Sequence, residues 1–212
     1  MNLSLFQKLP ILSILRGVEE RYLNQAVQTT IDAGLNALEI TLNTRNALTL
    51  IEAANNRFKG KISIGAGTVL NLQNAKDAVR SGAAFIVAPN FNAEIAAYCR
   101  NSNIPFFPGA LTPSEIYAAW ESGATMVKVF PAGFFGPKYF KEIKGPFDKL
   151  KLMAVGGVKP DNIAEYFKNG ADAVAIGGSV YNKEWIEHGE FDKIKALISK
   201  YIESYKNLPH RS

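Results

Sequence analysis

The chain has 212 residues, 47% of them hydrophobic, with a formal net charge of +5 at pH 7, which fits one large globular domain over residues 1–212. Its basic residues are scattered among acidic ones, so the composition argues against a nucleic-acid surface. No run of about 18 apolar residues occurs and the start lacks the order of a signal peptide, so we expect a cytoplasmic protein that does not span a membrane.

Apolar runs alternate with amphipathic segments along the chain. In order, the runs that read as buried strands are ILSIL (11–15), GLNALEIT (34–41), ISIGAGT (62–68), GAAFIVAP (82–89), PFFPGA (105–110), GATMVKVF (123–130), LMAVGG (152–157) and GADAVAIG (170–177). Helical spacing marks segments 20–33, 46–57, 71–81, 112–122 and 160–168 between them. A last helix is predicted over 191–206, where apolar residues again recur at helical spacing.

This alternation predicts the fold class. Strands that are buried on both faces and alternate with helices form parallel sheets. Eight such units in about 200 residues predict a single-domain (β/α)₈ TIM barrel, with a helix before the first strand and a closing helix after the last. An open doubly wound sheet is the alternative.

Four of the strands share a repeat that sets the direction of their side chains. Each follows a glycine, at position 34, 82, 123 or 170, that ends a helical stretch. The fifth residue after each glycine is Glu39, Val87, Lys128 or Ala175. Alternate residues of a strand share a face, so Glu39 and Lys128 have the same phase. Their neighbours of opposite phase, which should face the helices, are Leu38, Ile40, Val127 and Val129.

Glu39 and Lys128 are therefore predicted to point into the barrel, near the carboxyl ends of strands where active sites of this fold lie. A structural ion pair is the alternative, although such pairs are costly to bury. A desolvated lysine becomes a neutral amine that attacks a ketone and forms a Schiff base. A neighbouring carboxylate can then move protons while a carbon–carbon bond breaks. This chemistry is that of a class I aldolase, which needs no metal and no cofactor.

The rare residue types agree with that prediction. The two histidines, His188 and His210, come late and in polar surroundings, which argues against a histidine-ligated metal or a histidine general base. The single cysteine, Cys99, cannot form an intramolecular disulfide and is expected to be a buried packing residue.

Paired glycines end the last two predicted strands, in VGGV (155–158) and IGGS (176–179). Loops at these positions of the fold commonly bind phosphate through backbone N–H groups, and glycine lets the main chain approach the anion. The candidate phosphate-binding residues are Gly156, Gly157, Gly177, Gly178 and Ser179. Ser179 can also cap the segment that follows. Thr68, at the end of the third strand, is expected to bind a substrate carboxylate or to pack locally.

Several of these segments resemble the 2-keto-3-deoxy-6-phosphogluconate / 4-hydroxy-2-oxoglutarate aldolase family. They are ILRGV (14–18), ALEITLNT (37–44), IGAGTVLN (64–71), VAPNF (87–91), PGALTPSE (108–115), VKVFPA (127–132), VGGV and IGGS. The resemblance implies that Lys128 is the Schiff-base lysine and Glu39 the general acid–base. It further implies that Arg16 and Thr68 bind the pyruvyl carboxylate, that Pro89 and Phe130 line the pocket, and that the glycine pairs hold a distal phosphate. It implies cleavage to pyruvate and glyceraldehyde 3-phosphate, or to pyruvate and glyoxylate, in a homotrimer.

The chain departs from the phosphogluconate pattern at two positions. Asn43 and Val155 stand where those enzymes commonly have arginine and threonine. Asn43 remains a candidate substrate-binding residue, but Arg16, or less expectedly Arg45, must supply the cation. Together with ILRG and LNT, the segment FFGPKYFK (134–141) resembles the branch that acts on 2-keto-3-deoxy-6-phosphogalactonate, which is the alternative substrate. More distant alternatives are another phosphate-binding barrel, such as an isomerase or synthase, and a non-catalytic barrel that binds an anionic metabolite.

Overall fold

A computed structural model describes residues 1–208, so the last residues of the predicted domain, 209–212 with His210, lie outside the described part. It contains one parallel sheet. The strands are β1 (Ile11–Leu15), β2 (Ala37–Thr41), β3 (Ser63–Gly67), β4 (Ile86–Val87), β5 (Phe106–Phe107), β6 (Gly109–Ala110), β7 (Val127–Val129), β8 (Leu152–Val155) and β9 (Ala173–Ile176).

The sheet curls into a barrel. Its strand order is β5-β4-β3-β2-β1-β9-β8-β7-β6, and the two outermost strands in this order, β5 and β6, are halves of one segment interrupted at Pro108. The chain itself therefore joins the ends of the sheet. The prediction of a (β/α)₈ barrel is confirmed, and the open doubly wound alternative is wrong. The predicted fifth strand, PFFPGA, is the one that the structure divides in two.

Helices connect the strands on the outside. They are α1 (Leu3–Lys8), α2 (Glu20–Asp32), α3 (Ala47–Arg57), α4 (Leu72–Arg80), α5 (Ala93–Asn101), α6 (Pro113–Glu121), α7 (Lys138–Lys144), α8 (Ile163–Lys168), α9 (Lys183–Glu187) and α10 (Phe191–Lys206). Each amphipathic segment predicted from sequence contains one of them, and α10 has the predicted bounds. Within residues 1–208 no helix combines the length and the apolar character that crossing a bilayer requires.

The glycine repeat marks the point where each of four helices ends. The φ angles of Gly34, Gly82, Gly123 and Gly170 are 100°, 91°, 94° and 104°, a left-handed conformation that glycine adopts without steric cost. After Gly34, the N–H of Leu35 donates to the Thr30 carbonyl at 3.2 Å, which closes the last turn of α2. The chain then enters the next strand almost at once, which keeps the repeat in register from one unit to the next.

The buried apolar side chains of residues 1–208 form two clusters, and the predicted phases are confirmed. The cluster between sheet and helices includes Leu38, Ile40, Val127 and Val129. The cluster inside the barrel includes Val87 and Ala175. Cys99, at 1% exposure on α5, is buried as expected.

Aromatic rings close the barrel at the amino ends of its strands. Phe6, from α1, belongs to the inner cluster. Its ring lies 6.4 Å from that of Phe107, which in turn lies 5.8 Å from the ring of Phe85. The side chain of Asn36, just before β2, donates to the Leu5 carbonyl at 3.1 Å and holds α1 in place. The carboxyl ends of the strands therefore form the accessible end of the barrel.

Candidate active site

Lys128 and Glu39 lie inside the barrel, on β7 and β2. Their exposed fractions are 6% and 1%. The main chain fixes Lys128 firmly, because its N–H donates to the Pro108 carbonyl at 2.8 Å and it pairs with Gly109 and Met153 on either side. The phase predicted from the glycine repeat thus brings an amine and a carboxyl group into one apolar interior.

The two groups are close enough to influence each other electrostatically but are not paired. Among the described residues, neither forms an ion pair, and Glu39 Oε2 is buried without a hydrogen-bond partner. A structural ion pair would be held by direct contacts that satisfy both charges. The alternative of such a pair therefore has no contact to support it. A buried carboxyl oxygen with a free lone pair is instead available to a bound molecule.

Burial shifts the pKa of each group in the direction that favours its uncharged form. Desolvation lowers the pKa of Lys128, the carboxylate of Glu39 opposes this shift, and the positive charge of Arg16 adds to it. Desolvation likewise raises the pKa of Glu39, while the charges of Lys128 and Arg16 pull it down. A low-dielectric site favours the neutral amine and the protonated acid over two separated charges. These are the forms needed for nucleophilic attack and for proton donation.

Gly67, at the end of β3, makes room for the carboxyl group of Glu39. A Cβ placed on Gly67 would lie 2.6 Å from Cδ of Glu39, well inside van der Waals contact. Any other residue at this position would push the carboxyl group away. Sequence reasoning missed this role because GAGT has no phosphate-loop or dinucleotide pattern, and the contact crosses from one strand to its neighbour.

Arg16 and Thr68 lie next to each other, just after the carboxyl ends of β1 and β3. Arg16 Nη2 donates to Thr68 Oγ1 at 3.4 Å, which joins the loops after β1 and β3. Thr68 has a φ of 57°, an unusual conformation for a β-branched residue that strained functional turns can hold. Thr44, which sequence reasoning missed, supports this arrangement. Its buried Oγ1 accepts the N–H of Gly17, the neighbour of Arg16, at 2.9 Å.

The side chains of Asn43 and Arg45 make no polar contact with the residues described so far. Both side chains are exposed. Within residues 1–208, neither makes a side-chain hydrogen bond or ion pair. Arg16 is therefore the cation whose charge reaches Lys128 and Glu39.

Phe130 and Pro89 border the lysine. The amine Nζ of Lys128 lies 5.2 Å from the centre of the Phe130 ring, a distance at which an aromatic face attracts a cation. Phe130 is 42% exposed and so lies between the interior and solvent. The backbone of Pro89 packs against Gly109, the residue that pairs with Lys128. Phe130 is thus next to the amine, and Pro89 lies against the strand that neighbours Lys128.

The loop after β8 turns its N–H groups away from protein acceptors. Gly156 and Gly157 have φ angles of 88° and 82°. Their carbonyls are occupied, because Gly133 N–H donates to Gly156 at 2.8 Å and Asn162 Nδ2 donates to Gly157 at 3.0 Å. Among the described residues, no acceptor takes the N–H of Gly156, Gly157 or Val158. Such a run of free N–H groups is suited to an anion.

The loop after β9 lies beside it. Gly178 and Ser179 are exposed, and the Gly177 carbonyl accepts the N–H of Val180 at 2.7 Å. Ser179 does not cap the next helix, so that expectation is wrong. The N-cap of α9 is Asn182, whose side chain accepts two backbone N–H groups. Ser179 Oγ instead lies 3.4 Å from the hydroxyl of Tyr201.

Comparison with known proteins adds to this geometry. A family model described as KDPG and KHG aldolase matches residues 3–197. A 2-dehydro-3-deoxy-6-phosphogalactonate aldolase from Escherichia coli (strain K12) is 34% identical over 199 residues, which cover 93% of this chain and 97% of that protein. A 2-dehydro-3-deoxy-phosphogluconate aldolase from Pseudomonas aeruginosa is 33% identical over 174 residues, or 81% of this chain and 78% of that one.

A solved structure extends the likeness to three dimensions. It is the KDPG aldolase of Legionella pneumophila with pyruvate captured at low pH as a covalent carbinolamine intermediate. It is 28% identical, covers 92% of this chain and 95% of its own, and superposes with a TM-score of 0.85.

Proposed function

The chain belongs to the KDPG and KHG aldolase family, an assignment carried by the family match over residues 3–197, and on that premise we propose that Lys128 forms a Schiff base with a 2-keto acid substrate. The observation that carries this proposal is the buried amine of Lys128 beside the unpaired carboxyl group of Glu39. The enzyme is a carbon–carbon lyase. Its proposed substrates are 2-keto-3-deoxy-6-phosphogluconate and 4-hydroxy-2-oxoglutarate.

The reaction begins at the ketone. The neutral amine of Lys128 adds to C2 and gives a carbinolamine, and loss of water, with a proton supplied by Glu39, gives the protonated Schiff base. The amine becomes a cation at this step. The ring of Phe130 faces Nζ and stabilises the iminium charge where water is scarce.

The protonated Schiff base accepts electrons, and this allows the carbon–carbon bond of the substrate to break. The C4 hydroxyl gives its proton to the carboxylate of Glu39, the C3–C4 bond breaks, and its electron pair moves to the imine nitrogen to form an enamine. The aldehyde leaves with C4. C3 of the enamine then takes a proton, and water hydrolyses the resulting imine to pyruvate and free Lys128. One carboxyl group serves every transfer because it alternates between its two forms.

The ends of the substrate have separate partners. The guanidinium of Arg16 and the hydroxyl of Thr68 are proposed to bind the carboxylate at C1. The free N–H groups at Gly156, Gly157 and Gly178 are proposed to bind the distal phosphate. Asn43, whose exposed side chain has no hydrogen-bond partner among residues 1–208, remains a candidate substrate contact.

The decisive test traps the covalent intermediate. Borohydride added with pyruvate should attach one pyruvyl group to Lys128, identified by peptide mass. Lys128→Ala and Lys128→Arg should give no adduct and no turnover. Lys144→Ala is the matched control, because Lys144 is also part-buried but pairs with Asp172 at 2.8 Å. Absence of an adduct in the unaltered protein would end the Schiff-base proposal, and residual turnover of Lys128→Arg would favour an isomerase or synthase.

The second candidate substrate is the epimer 2-keto-3-deoxy-6-phosphogalactonate. Val155 favours it, since this buried residue of the inner cluster offers no hydroxyl group where the phosphogluconate enzymes commonly have threonine. Cleavage rates on both epimers, measured with a coupled assay for pyruvate, will rank them. A kcat/KM that is higher for the gluconate epimer would refute the argument from Val155.

We also propose that the protein assembles as a homotrimer, on the strength of the family resemblance. Large apolar side chains on the surface, such as those of Phe134 and Leu70, which are 78% and 54% exposed, are consistent with contacts between copies. Light scattering should then give three times the chain mass of 23.2 kDa. A mass equal to that of one chain would refute the trimer.

A further inference from the structure

Tyr201, on the closing helix α10, reaches across to the two glycine loops. Its side chain is buried, with 1% of the residue exposed. Its hydroxyl donates to the Val158 carbonyl at 3.0 Å, in the loop after β8, and lies 3.4 Å from Ser179 Oγ, in the loop after β9. Among residues 1–208, no other side chain makes a hydrogen bond to both loops.

This contact completes a pattern in the loop after β8. Three successive carbonyls, those of Gly156, Gly157 and Val158, each accept a hydrogen bond from a different donor. These bonds fix the carbonyls of the loop, while the N–H groups of the same residues have no acceptor among residues 1–208. Tyr201 supplies the bond at Val158, so its loss would free that carbonyl to rotate and would misalign the N–H groups.

The contact to Ser179 constrains the second loop. The phenol has a single proton, which goes to the Val158 carbonyl, so the hydroxyl of Ser179 is the donor in the other bond. Burial raises the pKa of Tyr201, and the phenol therefore keeps its proton over the range in which an aldolase works.

We propose that Tyr201 is a positioning residue that holds the two loops in register for a phosphate group, and thereby sets the preference of the enzyme for phosphorylated over unphosphorylated substrates. This inference rests on the proposed function, because it takes the loops to be the phosphate site. Tyr201 itself touches no reacting atom. Its effect should be confined to substrates that carry a distal phosphate.

The test is Tyr201→Phe, which keeps the ring and removes the two hydrogen bonds. The KM for the phosphorylated substrate should rise by about fivefold, as expected for loss of the 3.0 Å bond to Val158, since the 3.4 Å contact with Ser179 is long. The kcat should change little. The KM and kcat for 4-hydroxy-2-oxoglutarate, which has no phosphate, should be unchanged. Tyr166→Phe is the matched control, since Tyr166 is also 1% exposed but lies against the ring of Phe140. Tyr166→Phe should change neither KM nor kcat for either substrate.

A binding measurement separates this inference from the proposed function. Calorimetry with glycerol 3-phosphate requires no turnover, and Tyr201→Phe should weaken its Kd by about fivefold. Asn162→Ala, which removes the bond to the Gly157 carbonyl, should weaken it similarly. Equal KM changes on both substrates, or an unchanged Kd, would overturn the role of Tyr201 even if pyruvate is trapped on Lys128. If no pyruvate is trapped, the Schiff-base proposal fails while the calorimetry still decides the role of Tyr201.

Discussion

Gly67→Ala is expected to disable proton transfer while leaving the nucleophile intact. The added Cβ would lie 2.6 Å from Cδ of Glu39, whereas ordinary contacts begin at 3.4 Å, so the carboxyl group must retreat by close to 1 Å. A displacement of about 1 Å at a catalytic group can cost on the order of 100-fold in rate. We therefore expect kcat to fall by about two orders of magnitude. Overpacking should also lower the free energy of unfolding by about 1–3 kcal/mol.

Gly65→Ala provides the control for overpacking. Gly65 lies on the same strand, and the three atoms nearest its added Cβ would all belong to Phe85, with Cδ2 at 2.5 Å, rather than to Glu39. Both variants should lose stability in urea, but only Gly67→Ala should lose turnover. Borohydride should still attach pyruvate to Lys128 in both variants, but more slowly in Gly67→Ala, because Glu39 supplies the proton for loss of water. Equal kcat values for the two variants would refute the claim that the position of Glu39 limits the reaction.

Three further predictions concern charge and burial. Desolvation lowers the pKa of Lys128 below its ordinary 10.5, so burying this group costs folding free energy at pH 7. Lys128→Met should therefore raise the unfolding free energy in urea by about 1 kcal/mol, with the gain shrinking towards pH 10.5. No gain would show that burying Lys128 costs no folding free energy. The positive charge of Arg16 lowers the pKa of Lys128, so Arg16→Gln should shift the acidic limb of pyruvate trapping to higher pH, and a shift to lower pH would contradict this. Burial raises the pKa of Cys99 to about 12, so a thiol reagent should label it only in denaturant. Rapid labelling of the native protein would show that the apolar cluster between sheet and helices opens.

The repeat of glycine and apolar residues made the barrel and the directions of its side chains predictable. Both depend on local features, a helix that ends on a left-handed glycine and a strand that alternates faces from there. That is why counting residues from each glycine predicts that Glu39 and Lys128 lie on the same face of the sheet. The break of the fifth strand at Pro108 is also local, since proline has no N–H to donate, but the pattern PFFPGA alone does not show that both halves stay in the sheet.

The rest of the site depends on distances between elements that are far apart in sequence. Gly67 matters for function only because the carboxyl group of Glu39 packs against its Cα, where a side chain would otherwise lie. The contact between Tyr201 and Ser179 joins a helix to a loop 22 residues earlier, and no period or motif marks it. Ser179 was expected to cap a helix, yet Asn182, three residues later, does so. Side-chain packing in three dimensions decides these roles, and a single sequence does not encode them as a pattern.

The aromatic closure by Phe6, Phe85 and Phe107 has a kinetic consequence. Because these rings fill the amino ends of the strands, we expect the substrate to enter and leave at the carboxyl ends, past Phe130 and the loops after β8 and β9. If pyruvate is held on Lys128, the aldehyde lies nearer the opening and must depart first. Product release is then ordered. Pyruvate should inhibit competitively against the cleavage substrate, the aldehyde should inhibit non-competitively, and in the synthetic direction pyruvate must enter before its partner.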